Sequence, residues 1–310
     1  MSPNSVSIAG CKVVVTGGTG LIGRAIVDHL VAINLDVTVL DQKAPAVANP
    51  DARYLVGDVL DEKLITELAE QNEFVVHMAG IPGLEHGTET EIYRANALGT
   101  FMVMNSAAKA GVRKIIYASS INANGIPLNP NRVMPTQFPW GEDEPPQIAD
   151  HYSLSKQANE HAAEEIRARY SVEVTGLRYP LVRDLFVEEG QVFGRHIRKV
   201  LHDDARRAAC EGFSYLDASD AAKVVQHALE LDVPDAPGIL VAARNTFLST
   251  LTETALAKYA RDVPRASISG REVALDLTRQ RTLLEFEPQV LLEAINPELL
   301  IDIEKEFAND

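Results

Sequence analysis

The chain has 310 residues, 46% of them hydrophobic and 24% charged, which is material for a large core and a second, smaller lobe and excludes a disordered chain. A formal charge of −15 at pH 7 argues against nucleic acid or an anionic membrane surface as a partner, because either would repel it. Two cysteines, Cys11 and Cys210, make no disulfide framework and have no metal-ligand spacing with histidines, so no metal site is expected and the expected compartment is the reducing cytoplasm.

The N-terminal stretch MSPNSVSIAG has neither the charged start nor the apolar middle of a secretory signal, and no apolar run approaches the ~20 residues of a spanning helix. The first half then alternates short β-branched runs with helical patterns, the form that consecutive βαβ units on a parallel sheet take. The runs are KVVVTG (12–17), DVTVLD (36–41), ARYLVGD (52–58), EFVVHMAG (73–80), RKIIYASS (113–120) and VEVTGLRY (172–179). Between the first two, Leu21, Ile22, Ala25, Ile26, Leu30, Val31 and Ile33 fall on one helical stripe. Longer helical patterns run from Glu89 to Ala110 and from Ser153 to Tyr170.

The loop from Ile126 to Asp150 holds six prolines and Trp140 with little periodicity, so it is expected on the surface, as a lid or binding loop. After Tyr179 a mixed region extends to about Gly212. A strand and helix follow between Phe213 and Leu231, then a strand GILVAA (238–243) and helices near the C-terminus. This order predicts an α/β fold with a doubly wound parallel sheet of Rossmann type. The sheet domain is expected from 1–179 plus roughly 213–243. A smaller discontinuous lobe, 180–212 plus 244–310, is expected over the carboxyl ends of the strands, where such sheets bind ligands.

VVVTGGTGLIG sets Gly17, Gly20 and Gly23 between a buried-type strand and the mouth of an amphipathic helix. Such a turn needs positive φ, and without a Cβ the backbone N–H groups of Gly20, Leu21, Ile22 and Gly23 can approach a pyrophosphate at the positive end of the helix. Asp41 ends the second strand where a carboxylate accepts both ribose hydroxyls of NAD and repels the 2′-phosphate of NADP, which favours NAD, while Lys43 nearby leaves room for NADP.

The spacing Gly17-x-x-Gly20-x-x-Gly23 after Thr16 is tighter than that of most two-domain dehydrogenases. It resembles the extended branch of the short-chain dehydrogenase/reductase superfamily, the NAD-dependent epimerase/dehydratase family. The resemblance continues in order through GDV (57–59), HMAG (77–80), NALGT (96–100), ASS (118–120), YSLSK (152–156), LRYP (177–180) and YLDASDAA (215–222). It implies NAD as the cofactor, with Asp58 and Val59 at the adenine and Met78, Ala79, Gly80, Asn96 and Tyr179 along the cofactor. Asn96 would also tie its helix to the neighbouring strand. By the same resemblance Lys156 bonds the nicotinamide ribose and Ser120 holds the reacting oxygen. Ser119 competes for that role; Ser120 is preferred because it precedes Gly125 by five residues, the register of the catalytic Ser or Thr in the family. Family members also dimerise through helices placed like 89–110 and 153–170, which implies a homodimer.

A hydride leaves a carbinol carbon readily only if the hydroxyl proton is taken at the same time, so a base is needed beside the nicotinamide. An ordinary tyrosine, with a pKa of about 10, is a poor one at neutral pH. Lys156, one helical turn from Tyr152, and the cationic ring of oxidised NAD should favour the phenolate, a depression of ~3 units corresponding to roughly 4 kcal/mol.

Dehydratases of the family carry an Asp-Glu pair after the catalytic residue; here Ile121 and Asn122 stand there, which disfavours dehydration. LRYPLVRD likewise departs from the Arg-Tyr-Phe-Asn and Gly-Pro of nucleotide-sugar epimerases. The leading expectation is a net dehydrogenase for a free sugar, sugar acid or polyol, with Ser119, Ser120, Asn122 and Arg183 as candidate substrate contacts. The alternative is a nucleotide-sugar epimerase that keeps its NAD, with Arg183, Arg195, Arg198 and Arg207 available to clamp a diphosphate. A non-catalytic NAD-sensing module comes third, since such relatives generally lack the tyrosine and lysine.

Overall fold

The computed structural model describes residues 6–233 and 236–305. The chain opens with β1 (Lys12–Thr16), α1 (Leu21–Ala32), β2 (Asp36–Asp41), β3 (Arg53–Val56), α2 (Glu62–Glu70) and β4 (Phe74–His77). It continues through α3 (Glu89–Tyr93), α4 (Gly99–Ala110), β5 (Lys114–Ser120), α5 (His151–Tyr170) and β6 (Glu173–Tyr179). After β7 (Val182–Arg183) come α6 (Gln191–Cys210), β8 (Leu216–Asp217), α7 (Ala218–Glu230), β9 (Ile239–Leu240), α8 (Thr252–Tyr259) and α9 (Thr278–Leu283), with α10 (Leu292–Ile295) and α11 (Pro297–Lys305) closing the described chain. Among the described residues no helix is long and apolar enough to cross a membrane.

Seven strands form one all-parallel sheet in the order β3-β2-β1-β4-β5-β6-β9. Side chains alternate across a strand, and here both faces are covered, so the strands are apolar on both sides. Val13, Val15, Phe74 and Val76 pack toward α1 and α7 on one face. Val14, Val75, Ile115 and Tyr117 pack toward the other, with buried residues of α2, α4 and α5. A third buried cluster gathers Phe193 and Ile197 of α6, Phe213, Tyr215, Phe247 and the C-terminal helices. Its aromatic rings meet edge-on or tilted, Phe193 to Tyr215 at 5.5 Å and Phe213 to Phe247 at 6.0 Å.

The structure departs from the sequence reading in two places that matter to the site. The loop 126–150 is not a surface excursion: Phe138 and Trp140 are 1% and 2% exposed and belong to the third cluster. Backbone bonds from Phe138 N–H to the Pro264 carbonyl at 2.8 Å and from Trp140 N–H to the Ala274 carbonyl at 3.4 Å fix the loop, and the indole N–H donates to the Cys210 carbonyl at 2.8 Å. The helical run 89–110 is also not uniform. A π-helical turn, Arg94–Leu98, separates α3 from α4, the kind of local widening that often accompanies a functional site.

Candidate active site

The strand order reverses between β1 and β4, and the crevice at such a switch point is where open α/β sheets bind ligands. The glycine turn lies on its floor. Gly17 has φ +72°, and a Cβ there would stand 2.5 Å from the Ala79 nitrogen; one on Gly23 would overlap the Gly17 carbonyl. The turn therefore presses flat against Met78 and Ala79 and opens α1, whose first residues are Leu21, 39% exposed, and the half-buried Ile22. Asp41 accepts from Thr19 N–H at 3.1 Å and from Lys43 N–H at 3.2 Å, one bond per oxygen. Each carboxylate oxygen keeps a lone pair free for a ribose hydroxyl. Asp58 accepts from Leu60 N–H at 3.0 Å and from Gln42 at 3.2 Å, beside the half-buried Val59. A helix N-terminus behind a glycine-rich turn, with an acid at the next strand end, fits NAD.

Beneath the turn, His77 is buried and bridges two threonines, with Nδ1 2.6 Å from Thr16 Oγ1 and Nε2 3.0 Å from Thr100 Oγ1. Burial, helped by the Lys156 charge, lowers its pKa from 6.5 to about 3. The unfolded chain takes up that proton near pH 6.5 and the folded one does not, so stability is full above 6.5 and is lost as pH falls toward 3. Between pH 6.5 and about 5 the loss should be about 2 kcal/mol. Urea unfolding over that range checks this; a His77→Gln variant should have a visibly flatter pH slope, and equal slopes would refute the assignment.

The chemistry-bearing side chains meet at the ends of β5 and α5. Asp150 starts α5 by accepting from Ser153 N–H at 2.7 Å, which sets Tyr152 in the first turn. Ser120 ends β5, and its Oγ accepts from the Asn122 backbone N–H at 3.1 Å and the Asn122 side-chain amide at 3.3 Å. Lys156 Nζ donates to the Ala118 carbonyl at 2.9 Å and lies 5.8 Å from the centre of the Tyr152 ring.

Against the expectation of a lowered phenol, burial pushes Tyr152 up, with Ser120 and the Gly83 N–H, which face its hydroxyl, pulling the other way. Burial likewise lowers Lys156 to about 8, opposed by Glu160. The same low-dielectric pocket penalises both charges, so lowering the phenol takes a further positive charge at the site.

Three of the expected residues have partners within the protein. Ser119 is buried and donates to Glu160 at 2.6 Å. Asn96, in the π turn, uses its amide on Ile81, accepting from its N–H at 2.7 Å and donating to its carbonyl at 3.0 Å. It thus ties the π turn to the loop after β4, the link expected of it. Tyr179 is 5% exposed and donates to the Ala221 carbonyl at 3.2 Å, a core contact with α7. Arg183 is half-buried at the end of β7, and Gly80 is exposed beside the turn.

Sequence reasoning missed Glu160 and Arg178. Arg178 on β6 grips both oxygens of Glu160, at 2.8 and 2.7 Å, with the two side chains 8% and 9% exposed. The signal was present, since Tyr152, Lys156 and Glu160 recur every fourth residue and share one face of α5.

A dinucleotide cradle leading to a buried tyrosine and lysine defines a class, the NAD-dependent enzymes of the extended short-chain dehydrogenase type. Residues 13–243 match the NAD dependent epimerase/dehydratase family, and the chain belongs to it. A putative UDP-glucose 4-epimerase of Methanocaldococcus jannaschii is 31% identical over 173 residues, 54% of each chain, so the match spans about half of that relative's length. L-arabinose 1-dehydrogenase (NAD(P)(+)) of Haloferax volcanii is 25% identical over 250 residues, 78% of this chain and 92% of that one. The crystal structure of UDP-glucose 4-epimerase with UDP-glucose from Thermotoga maritima matches with a TM-score of 0.66 at 20% identity, over 96% of this chain and 99% of the other; that likeness is one of fold.

Proposed function

We propose that the protein is a net dehydrogenase that oxidises a hydroxyl of a free sugar, sugar acid or similar polyol. The observation that carries this reading is the state of Ser120. Its oxygen accepts two bonds from Asn122, and its own proton, which faces the Tyr152 hydroxyl, can pass to a substrate oxygen that enters there. Tyr152 takes the proton of the substrate hydroxyl, and the Lys156 ammonium next to it stabilises the phenolate. Bound NAD supplies the hydride acceptor. The small lobe proposed from 180–212 and 244–310 closes the substrate side. Elimination of water lacks an acid, because Ile121, at the position a proton donor would take, is 2% exposed in the apolar third cluster.

The second reading, a nucleotide-sugar epimerase that retains its NAD, is supported by the likeness to the Methanocaldococcus relative. The two separate in one assay. With NAD and a panel of neutral sugars and uronic acids, a dehydrogenase accumulates NADH. If NADH does not accumulate while UDP-sugars interconvert, the dehydrogenase reading is wrong.

We further propose that the protein is a homodimer. Tyr93, Leu98 and Phe101 around the π turn and Leu154 on α5 are 37–46% exposed, an apolar strip on neighbouring helices. A monomeric sedimentation coefficient would exclude it. Cytoplasmic residence fits two free cysteines, one of them buried.

A further inference from the structure

The reacting tyrosine begins its helix beside an anion that no cation pairs with. Asp150 caps α5, and its two oxygens differ: Oδ1 accepts from Ser153 N–H at 2.7 Å, while Oδ2 is buried and has no hydrogen bond among the described residues. No lysine, arginine or histidine forms an ion pair with it among those residues. The cap alone does not call for a charge, because serine and asparagine cap a helix about as well as aspartate. A carboxylate oxygen shut off from both water and a cation acts on its surroundings with little screening.

Tyr152 lies within that field. It is the second residue of α5, so its Cα is about 5 Å from that of the cap, and helical side chains lean back toward the N-terminus, which brings ring and carboxylate to the same end of the helix. Burial is the main force that keeps the proton on Tyr152, and the charge of Asp150 adds to it, against hydrogen bonding from Ser120 and the Gly83 N–H.

The other charged and titratable groups around the tyrosine leave Asp150 unopposed. Lys156 Nζ lies 5.8 Å from the ring centre and gives its hydrogen bond to the Ala118 carbonyl. His151, between cap and tyrosine, is half-buried, and its Nε2 has no partner among the described residues. On α3, the π turn and α4, all packed against α5, Glu89, Glu91, Arg94 and Lys109 are exposed to water, and Glu91 bonds back to Thr88. On the strands beneath α5, Lys114 pairs with Glu173 and Arg178 with Glu160. The turn 121–124 after β5 carries no charged residue.

The two directions of the reaction ask opposite things of this hydroxyl. Oxidation moves a hydride, with its electron pair, from the carbinol carbon to bound NAD and needs Tyr152 as a phenolate that takes the hydroxyl proton. Reduction returns the hydride to the carbonyl carbon and needs Tyr152 as a phenol that gives its proton to the oxygen and then regains one from water. We propose that Asp150 acts through Tyr152 as a positioning residue for the proton: its unpaired charge keeps the tyrosine hydroxyl protonated near neutral pH, so the site is set to reduce a carbonyl there and to oxidise a hydroxyl only at alkaline pH. This rests on the acid–base role given to Tyr152 above and adds a direction to it.

The test follows NADH formation from a sugar or sugar acid that turns over, and NADH consumption by its carbonyl product, from about pH 6 to 11 in wild type, Asp150→Asn and Asp150→Ser. In wild type, reduction should level off toward low pH and oxidation should rise toward high pH. Both limbs should move down together by about 0.5 to 1 unit in the two variants, so that oxidation at neutral pH becomes about 3- to 10-fold faster. Both replacements keep a cap, so their melting temperatures should stay near that of wild type, whereas Asp150→Ala loses cap and charge together. Limbs that stay within about 0.2 units of wild type in Asp150→Asn and Asp150→Ser overturn the proposal, as does a shift confined to Asp150→Ala. If no free sugar or acid yields NADH, the dehydrogenase reading fails, and the proposal is judged without substrate. The near-ultraviolet absorbance of tyrosinate, wild type minus Tyr152→Phe, follows this one phenol in the cofactor-free protein, and the same difference in an Asp150→Asn background should titrate about 0.5 to 1 unit lower. An unmoved titration refutes it.

Discussion

A Tyr152→Phe enzyme should turn over about 10³-fold more slowly than wild type while still binding NAD, because the substitution removes the proton acceptor and leaves the glycine turn and Asp41 untouched. Phenylalanine fills the same apolar space, so the loss should fall on kcat rather than on folding. The pH profile adds a second check. Burial alone makes this phenol harder to ionise and brings Lys156 down to about 8, so the wild-type rate should rise with pH as the tyrosine loses its proton. Lys156→Met removes the neighbouring ammonium and should move that rise to higher pH. Turnover by Tyr152→Phe at the wild-type rate would remove Tyr152 from the chemistry, whichever reaction the enzyme performs.

The largest stability effect is expected at Arg178. Burial works against its charge, yet the hydrogen bonds and charge of Glu160 more than offset this and raise the guanidinium above its ordinary value. Arg178→Met would leave the Glu160 carboxylate nine-tenths buried with no cation bonded to it, which should cost about 3–5 kcal/mol, or roughly 10 °C in Tm. The double variant Arg178→Met with Glu160→Leu removes both charges and should recover most of that loss, because the penalty comes from the unpaired ion. Denaturant unfolding of the three proteins decides it: a single variant that costs less than about 1 kcal/mol would mean that water reaches the pair. The effect should extend to the site, since Ser119 donates to the same carboxylate and Lys156 lies one turn before it on α5.

The sheet was readable because its information is local. A run such as KVVVTG specifies a strand buried on both faces, and the glycines after it specify the turn and what the turn can hold. Positions whose environment is made by distant chain were not readable. Aperiodic, proline-rich sequence around Trp140 reads as surface, and its burial depends on backbone partners at Pro264 and Ala274. Ser119 and Ser120 are adjacent and point to opposite faces of β5, and nothing local in the sequence shows that the first meets Glu160 and the second Asn122. Tyr179 looks like a crevice residue from its motif, and only the position of α7 shows that its hydroxyl is taken. The Tyr152–Lys156 spacing was legible, but the direction in which burial shifts both groups was not, since it depends on how closely the rest of the pocket closes over them.

Trp140 is the chain's single tryptophan, and it sits in the third cluster with its indole bonded to the Cys210 carbonyl. Its fluorescence is therefore an optical probe fixed in one core, while far-ultraviolet circular dichroism weighs the helices and strands of the whole chain. Coincident melting by the two signals would mark a single cooperative unit, and an earlier fluorescence transition would show the aromatic cluster loosening before the sheet.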